Sequence, residues 1–145
     1  MCATHPQLSR LDAKVAIFIM HASVSARRLL TELSKDNFWE YLRADEQRGM
    51  TIVVDCYTDW CGPCKMIMPD LIAYSAELEP KGRIVKFNCN KANKTLGVEL
   101  KIKVAPTFLV YRDGEQVGHM TGAKVQKLRN LVASLQEVEA PAEAL

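Results

Sequence analysis

Two cysteines separated by two residues are the part of this sequence best suited to chemistry. Cys61 and Cys64 lie in the segment Trp-Cys-Gly-Pro-Cys, residues 60–64, where a predicted buried strand over 51–58 gives way to a helix. Cys61 would then fall in the first turn of that helix, where unpaired backbone N–H groups and the helix dipole favour a thiolate. A thiolate attacks disulfide sulfurs, and Cys64, one turn later on the same face, can resolve the mixed disulfide.

The two residues between the cysteines, Gly62 and Pro63, make the turn compact, and Pro63 suits an early helical position where no N–H is required. Two other interpretations of such a pair are possible. The cysteines could supply half of a zinc site, or they could be buried and chemically inert. A zinc site needs two further ligands, and the sequence has no second C-x-x-C pair and only scattered histidines. Thiol–disulfide chemistry without a metal or an organic cofactor is therefore the prediction.

A predicted α/β domain positions the pair. Residues 51–58 and 84–89 have the β-branched and apolar composition of strands, and the apolar spacing between them indicates a helix that ends near Pro80 and Gly82. Ser34 is a plausible N-cap for an earlier helix. Asp113 and Gly114 predict a hairpin turn between strands 107–112 and 115–121. Further helices are predicted over 93–100 and 124–138. This alternation favours an α/β class with a mixed sheet.

Length, charge and composition exclude several classes of protein. The chain has 145 residues, a net charge of +2 and five cysteines, which favours one domain with a core that needs no disulfides. The nearly neutral charge, and basic residues without interleaved aromatics, argue against a nucleic-acid partner. The longest apolar run, residues 15–20, is too short to span a membrane. We expect a monomer that binds neither nucleic acid nor membrane.

The two ends of the chain differ from its middle. Residues 1–30 hold four basic residues and one acidic residue among serines and alanines, which is typical of an organellar transit peptide. An ordered helix over residues 11–30 accounts for the same residues equally well. Residues 139–145 form an acidic tail. The predicted domain occupies residues 31–138.

Several separated motifs resemble the thioredoxin family over about residues 30–138. Asp55 stands at the position of the family's buried carboxylate, Lys86 matches the neighbouring basic residue, and Pro69 matches the proline that kinks the active-site helix. The segment Val-Ala-Pro-Thr, residues 104–107, resembles the cis-proline loop, and Thr-Gly-Ala, residues 121–123, resembles the adjacent glycine loop. The resemblance implies a thioredoxin fold, a central mixed β-sheet flanked by helices, with protein-disulfide reductase activity.

Elementary chemistry suggests a role for each of these positions. Burial among apolar residues raises the pKa of a carboxyl, so Asp55 could accept the proton of Cys64 as that thiol attacks; the alternative is a structural acid satisfied by Lys86. A cis bond before Pro106, which has no N–H, would leave the backbone of Ala105 free to pair with an extended substrate segment.

Trp60 offers an amphipathic contact beside the thiols, and the alternative is a half-buried packing residue. Gly122, in the glycine loop, completes the surface that the resemblance implies. The residues predicted to contact a protein substrate are Trp60, Gly62, Pro63, Ala105, Pro106 and Gly122.

Cys89 narrows the resemblance to plastid f-type thioredoxins, which carry a third cysteine at this place. That type implies fructose-1,6-bisphosphatase and similar carbon-fixation enzymes as targets, ferredoxin–thioredoxin reductase as electron donor, the chloroplast stroma as location, and Cys89 as an exposed regulatory thiol. Read from the strand pattern alone, Cys89 shares a face with Val85 and Phe87 and could be a small buried hydrophobe. The alternatives are an m-type or cytosolic h-type thioredoxin, or a non-catalytic subunit whose thiols only sense redox state.

Residues 81–103 carry seven basic residues and one acidic residue. Several of them are expected to flank the redox site and steer acidic partners, or else to form a solvated face. Two departures from the family pattern stand out: Tyr57 occupies a position where many thioredoxins carry Trp, and Lys101 replaces a common glycine. Cys56 is expected to be a packing residue.

Overall fold

The computed structural model describes residues 30–138. The predicted segments 1–30, except for Leu30, and 139–145 therefore lie outside the described residues. Within the described range, β-branched runs form strands and amphipathic runs form helices, in the alternating order that the sequence predicts. The strands are β1 (Leu30–Leu33), β2 (Thr51–Tyr57), β3 (Gly82–Asn88), β4 (Thr107–Arg112) and β5 (Glu115–Thr121).

The helices lie between and after these strands. They are α1 (Phe38–Arg43), α2 (Gly62–Met66), α3 (Met68–Leu78), α4 (Lys94–Glu99) and α5 (Val125–Glu137), with single 3₁₀ turns at Asp45–Gln47 and Lys91–Asn93. The helix that the sequence predicts between β2 and β3 is divided at Ile67 into α2 and α3. Pro69 lies at the start of α3, where its missing N–H removes one bond of the helical ladder.

The strands form one mixed sheet in the order β1-β3-β2-β4-β5. β3 is parallel to both β1 and β2, whereas β4 is antiparallel to β2 and to β5. The hairpin turn lies at Asp113 and Gly114, both of which have positive φ angles, as a two-residue primed turn requires. The mixed sheet and the hairpin bounds are confirmed.

Alternate residues of β2 enter two separate apolar clusters, one on each face of the sheet. Ile52, Val54 and Cys56 pack with α1 and α4, in a cluster that includes Phe38, Phe87 and Leu96. Val53 points to the other face, where α3 and α5 cover it with residues such as Leu71, Tyr74, Leu128 and Val132. Because the side-chain period of a strand is two, Asp55 shares the second face with Val53.

One edge of the sheet collects the loops that carry the predicted chemistry. β2 ends at Tyr57, and β3, parallel to it, ends beside it, with the backbone N–H of Cys89 donating to the carbonyl of Tyr57 at 2.8 Å. β4 runs the other way and begins at this edge, where Thr107 pairs with Cys56 on β2 and with Thr121 on β5. Topology therefore places the cysteine loop, the proline loop, the glycine loop and Cys89 together.

Three sequence expectations differ from the structure. The N-cap of α1 is Asn37, not Ser34, because the Asn37 side chain closes a turn by accepting the backbone N–H of Ser34 at 2.7 Å. The strand β1, which pairs with β3, was missed because four residues are too short to show a period. β3 ends at Asn88, so Cys89 follows the strand rather than closing it.

Candidate active site

Cys61 and Cys64 form a disulfide in this structure. Cys61 is the N-cap of α2 rather than a residue of its first turn, and its sulfur accepts a hydrogen bond from the backbone N–H of Cys64 at 3.2 Å. Cys64 is 2% exposed and Cys61 is 8% exposed. When the pair is reduced, the same N–H is aimed at a sulfur that carries negative charge, and such a donor favours a thiolate.

The surroundings of the pair are open to a large partner. Trp60 is 73% exposed, so the alternative of a half-buried packing residue is wrong. Gly62 and Pro63 are exposed too, and a Cβ placed on Gly62 would meet nothing within 4 Å. Within residues 30–138, these three exposed residues form the surface beside the disulfide.

The proline loop has the geometry that its sequence predicts. The bond between Ala105 and Pro106 is cis, and Pro106 is buried while Ala105 is half-buried. Among the described residues, the backbone N–H and carbonyl of Ala105 have no hydrogen-bond partner. An extended peptide could therefore pair with this residue as a strand does.

The glycine loop is fastened to the proline loop. The backbone N–H of Gly122 donates to the carbonyl of Pro106 at 3.0 Å. Gly122 has a φ of +96°, and a Cβ placed there would meet nothing within 4 Å. Glycine is thus required by the backbone conformation rather than by crowding, and the open space leaves room for another chain.

Asp55 is a buried carboxyl group without a hydrogen-bond partner. It is 0% exposed, and neither carboxyl oxygen has a partner among the described residues. Burial raises its pKa from 3.8 to about 7, against the opposing charge of Lys86. The predicted burial of this carboxyl is confirmed, whereas the alternative of an acid satisfied by a hydrogen bond from Lys86 is not observed among the described residues.

Lys86 connects Asp55 to the neighbourhood of the thiols. It pairs with Asp55 across β3 and β2, and it lines a small cavity of about 180 Å³ together with Cys64 and Tyr57. Its Nζ lies 4.4 Å from the centroid of the Tyr57 ring. The cavity has room for water next to Cys64 and Lys86, and Asp55 lies behind Lys86 rather than in its lining.

Cys89 is neither the exposed thiol that the resemblance implies nor the buried hydrophobe that the strand pattern allows. It is half-buried and packs against the cluster that contains Cys56. The thiols of Cys56 and Cys89 donate to the backbone carbonyls of Val54 and Phe87, each at 3.8 Å. The neighbouring Cys56 thiol lowers the pKa of Cys89, whereas the Cys89 thiol, together with burial, raises the pKa of Cys56 well above its usual value. Cys56 is fully buried, as expected of a packing residue.

The basic residues of the segment 81–103 do not form one band. Lys86 and Lys91 lie near the redox loop, and the ammonium of Lys91 is 2.9 Å from the carboxylate of Asp59. Lys81 and Arg83 lie at the start of β3, and the backbone carbonyl of Lys81 accepts the N–H of Thr51, at the edge opposite the cysteines. Only some of these basic side chains therefore lie where they could attract an acidic partner to the redox loop.

Two groups of residues near the site were missed by sequence reasoning. Asp59 accepts a hydrogen bond from Asn88 at 2.9 Å as well as pairing with Lys91, which joins the redox loop to the end of β3. Glu32 accepts a hydrogen bond from the Tyr57 hydroxyl at 2.5 Å. No local signal could reveal either contact, because each joins residues from different strands or loops.

Residues 30–138 contain no group of three or more histidine, cysteine, aspartate or glutamate side chains that could hold a metal ion. Nor is any helix in that range both long and apolar enough to cross a membrane.

Comparisons with known proteins agree with this geometry. The thioredoxin family model matches residues 29–137. The chain is 37% identical over 114 residues to thioredoxin F, chloroplastic, of Oryza sativa subsp. japonica, an alignment that covers 79% of this chain and 59% of that protein. The chain spans between 56% and 60% of the length of the first three curated relatives it matches.

Two solved structures are also similar. Thioredoxin f2 of Chlamydomonas reinhardtii is 53% identical with a TM-score of 0.69, over 74% of this chain and 96% of that one. A thioredoxin f2 solved in complex with ferredoxin:thioredoxin reductase is 36% identical with a TM-score of 0.70, over the same shares of the two chains. The similarity of this chain is thus to f-type proteins, and the chain belongs to the thioredoxin family.

Proposed function

We propose that this chain is a thiol–disulfide oxidoreductase that reduces disulfides in target proteins. The observation that carries the proposal is the disulfide between Cys61 and Cys64 at the start of α2, beside an exposed tryptophan and an open proline loop. Two electrons pass from this dithiol to the target, so no metal or organic cofactor has to take part.

The reaction proceeds by two exchanges. The Cys61 thiolate attacks one sulfur of the target disulfide, and the other target sulfur leaves as a thiolate. Cys64, losing its proton toward Asp55 through the cavity beside Lys86, then attacks the Cys61 sulfur of the mixed disulfide. The target leaves fully reduced, and the protein is left with the Cys61–Cys64 disulfide, the state that this structure holds.

We assign substrate binding to the surface formed by Trp60, Gly62, Pro63, Ala105, Pro106 and Gly122. Its exposed side chains supply apolar contact, and the unpaired backbone of Ala105 supplies hydrogen bonds to an extended target segment. Because these groups recognise backbone and shape, the surface suits protein substrates rather than small disulfides.

The two tryptophans offer a matched test of that surface. Trp60→Ala is expected to raise the KM for a protein disulfide about tenfold with little change in stability, because the side chain is 73% exposed. Trp39→Ala removes a partly buried ring that packs against Phe38, so it should lower stability and leave KM nearly unchanged. Equal KM values for wild type and Trp60→Ala would remove Trp60 from the binding surface.

The similarity to f-type proteins supports a narrower assignment. We propose that the chain works in the chloroplast stroma, takes electrons from ferredoxin–thioredoxin reductase, and activates carbon-fixation enzymes such as fructose-1,6-bisphosphatase in the light. The relatives named chloroplastic and the f2 protein solved with the reductase support this assignment.

Reduction of insulin by the dithiothreitol-reduced protein tests the general activity. We expect catalytic turnover, and its absence would favour a non-catalytic redox-sensing subunit. Activation of fructose-1,6-bisphosphatase, compared with an m-type thioredoxin at equal concentration, tests the narrower assignment. Equal activation by both proteins would contradict the f-type role, as would cytosolic signal from a fluorescent fusion of the full chain.

A further inference from the structure

A row of three charged residues crosses the sheet beneath the redox loop. Lys86 on β3 pairs with Glu32 on β1 at one side and with Asp55 on β2 at the other. Partners in register across parallel strands place their side chains on the same face. The lysine therefore stands between two carboxyl groups, one at the exposed edge and one in the core.

Although Lys86 is in register with both acids, its ammonium forms an ion pair with neither of them. No ion pair of Lys86 with a carboxylate occurs among residues 30–138, and both oxygens of Asp55 are without a hydrogen-bond partner. The ammonium instead lies over the ring of Tyr57, 4.4 Å from its centroid. A ring face attracts a cation through its quadrupole, so the ring competes with the carboxylates for this charge.

Tyr57 is itself held in place. Its hydroxyl donates a hydrogen bond of 2.5 Å to Oε1 of Glu32, and burial and this bond together raise its pKa. The phenol therefore stays protonated and bound to Glu32 throughout the neutral range. One end of the ring is fastened to β1, and its face carries the ammonium of Lys86.

We propose that Tyr57, anchored by Glu32, is a positioning residue that holds the Lys86 ammonium away from Asp55, so that the buried carboxyl stays unpaired and free to accept the proton of Cys64. The inference deepens the proposed function and rests on it for its consequence in catalysis. A Lys86–Asp55 ion pair would hold the carboxyl in its charged form and make it a weaker base.

Other titratable groups surround this arrangement and have to be considered in any titration. Asp59 and Lys91 neutralise each other across the redox loop. Cys61 and Cys64 are joined in the oxidised protein and do not titrate there. The groups that face Asp55 and Lys86 from the neighbouring elements are Glu32, Tyr57, Asp59, Cys64 and Lys65, with the thiols of Cys56 and Cys89 on the opposite face.

The direct test is the pKa of Asp55 in the oxidised protein, measured by carbon NMR of its carboxyl group and assigned with Asp55→Asn. Tyr57→Leu removes the ring, so Lys86 can reach Asp55, and the pKa should fall by about one unit or more. Tyr57→Gln, a second non-aromatic variant at a half-buried position, should give the same downward shift. Tyr57→Trp keeps a ring face and should leave the pKa close to that of the wild type.

The chain contains a matched control. Arg129 lies over the ring of Tyr74 at the same distance, 4.4 Å, but neither residue pairs with Asp55. Tyr74→Leu should therefore leave the pKa of Asp55 unchanged. An unchanged or higher pKa in Tyr57→Leu and Tyr57→Gln, or an equal fall in Tyr74→Leu, would overturn the proposal.

A kinetic measurement separates this inference from the proposed function. In single-turnover release of a target from the mixed disulfide, the pH midpoint should move downward in Tyr57→Leu by the shift seen in the NMR titration. Wild-type protein that reduces no protein disulfide would refute the proposed function and leave the titration as the test of Tyr57. Wild-type turnover combined with an unmoved midpoint in Tyr57→Leu would refute the role of Tyr57 alone.

Discussion

Two pairs of cysteines lie near the same end of β2, and they differ in almost every physical respect. Cys61 caps the helix α2, Cys64 lies in its first turn, and the two form a disulfide. Cys56 stays within the strand, fully buried, and its neighbour Cys89 is half-buried just beyond the next strand. The reactivity of each sulfur therefore follows from the element that holds it. The start of a helix has free backbone N–H groups that can stabilise a thiolate, whereas the N–H groups of a strand are bonded to neighbouring strands.

Asp55 directly precedes Cys56 in sequence but belongs with the other pair in space. Its side chain points to the face covered by α3 and α5, whereas the neighbouring Cys56 points to the face covered by α1 and α4. The carboxyl is thus placed to serve the pair at α2. Substituting each sulfur and the acid in turn should separate the two pairs.

The largest effect is expected from the pair at α2. Cys61→Ser should reduce turnover of insulin to background, because the attacking sulfur is lost, while Cys64→Ser should trap a mixed disulfide with the target on a non-reducing gel. The double variant Cys56→Ala/Cys89→Ser is the control and should retain turnover within about twofold. Equal trapping by Cys61→Ser and Cys64→Ser would reverse the assigned roles.

Replacement of the acid should slow one step and stabilise the fold. Without the base, Asp55→Asn is expected to slow release of the mixed disulfide on the order of 10²-fold at pH 7, in stopped-flow measurements. Unchanged release would remove Asp55 from the proton path.

Asp55→Asn is expected to be more stable than the wild type at neutral pH. The pKa of Asp55 is raised from 3.8 to about 7 in the folded chain, so the folded state binds the proton more tightly, and wild-type stability falls as pH rises between those values. Asp55→Asn should therefore gain stability over wild type between pH 4 and pH 7, reaching about 4 kcal/mol. Urea denaturation at pH 4, 6 and 8 measures this gain, and a gain independent of pH would contradict the assignment.

A smaller effect is expected at the buried member of the second pair. Cys56→Ala should cost about 1 kcal/mol of stability, because it removes a fully buried sulfur. It also removes the neighbouring thiol that lowers the pKa of Cys89, so alkylation of Cys89 by iodoacetamide at pH 8 should slow severalfold. Faster alkylation in the variant would indicate that Cys56 shields Cys89 rather than activating it.

The smallest effect is expected at Cys89 itself. Cys89→Ser should change the free energy of unfolding by less than about 0.5 kcal/mol, because the side chain is only half-buried. Thermal unfolding followed by circular dichroism measures this. A loss as large as that of Cys56→Ala would show that the two sulfurs contribute equally to the core.

Much of the fold follows from local pattern. A β-branched run marks β2, and the apolar period marks α3 and α5. The bounds of the hairpin strands are those of the sequence prediction because Asp113 and Gly114 specify a turn with positive φ angles. The start of α1 and the strand β1 could not be predicted in this way. Asn37 rather than Ser34 caps α1, and β1 exists because β3 is available to pair with it.

The residues of the candidate site also divide into those that the sequence predicts and those that it does not. Cys61, Cys64, Asp55 and the cis bond before Pro106 could be identified from residue type, spacing and family resemblance. The exposure of Trp60 agrees with its predicted contact role. The intermediate burial of Cys89 could not be predicted, because burial depends on which elements cover a residue.

By itself, the sequence determined which atoms can do chemistry: two thiols at a strand-to-helix junction, an acid in an apolar strand, and a proline in a loop that resembles the cis-proline loop of thioredoxins. Only the tertiary structure decided which groups those atoms meet. Glu32 and Tyr57 are 25 residues apart in the chain, and they meet because β3 lies between β1 and β2 in the sheet. The position of the Lys86 charge relative to Asp55 is therefore a property of strand order, which no local pattern contains.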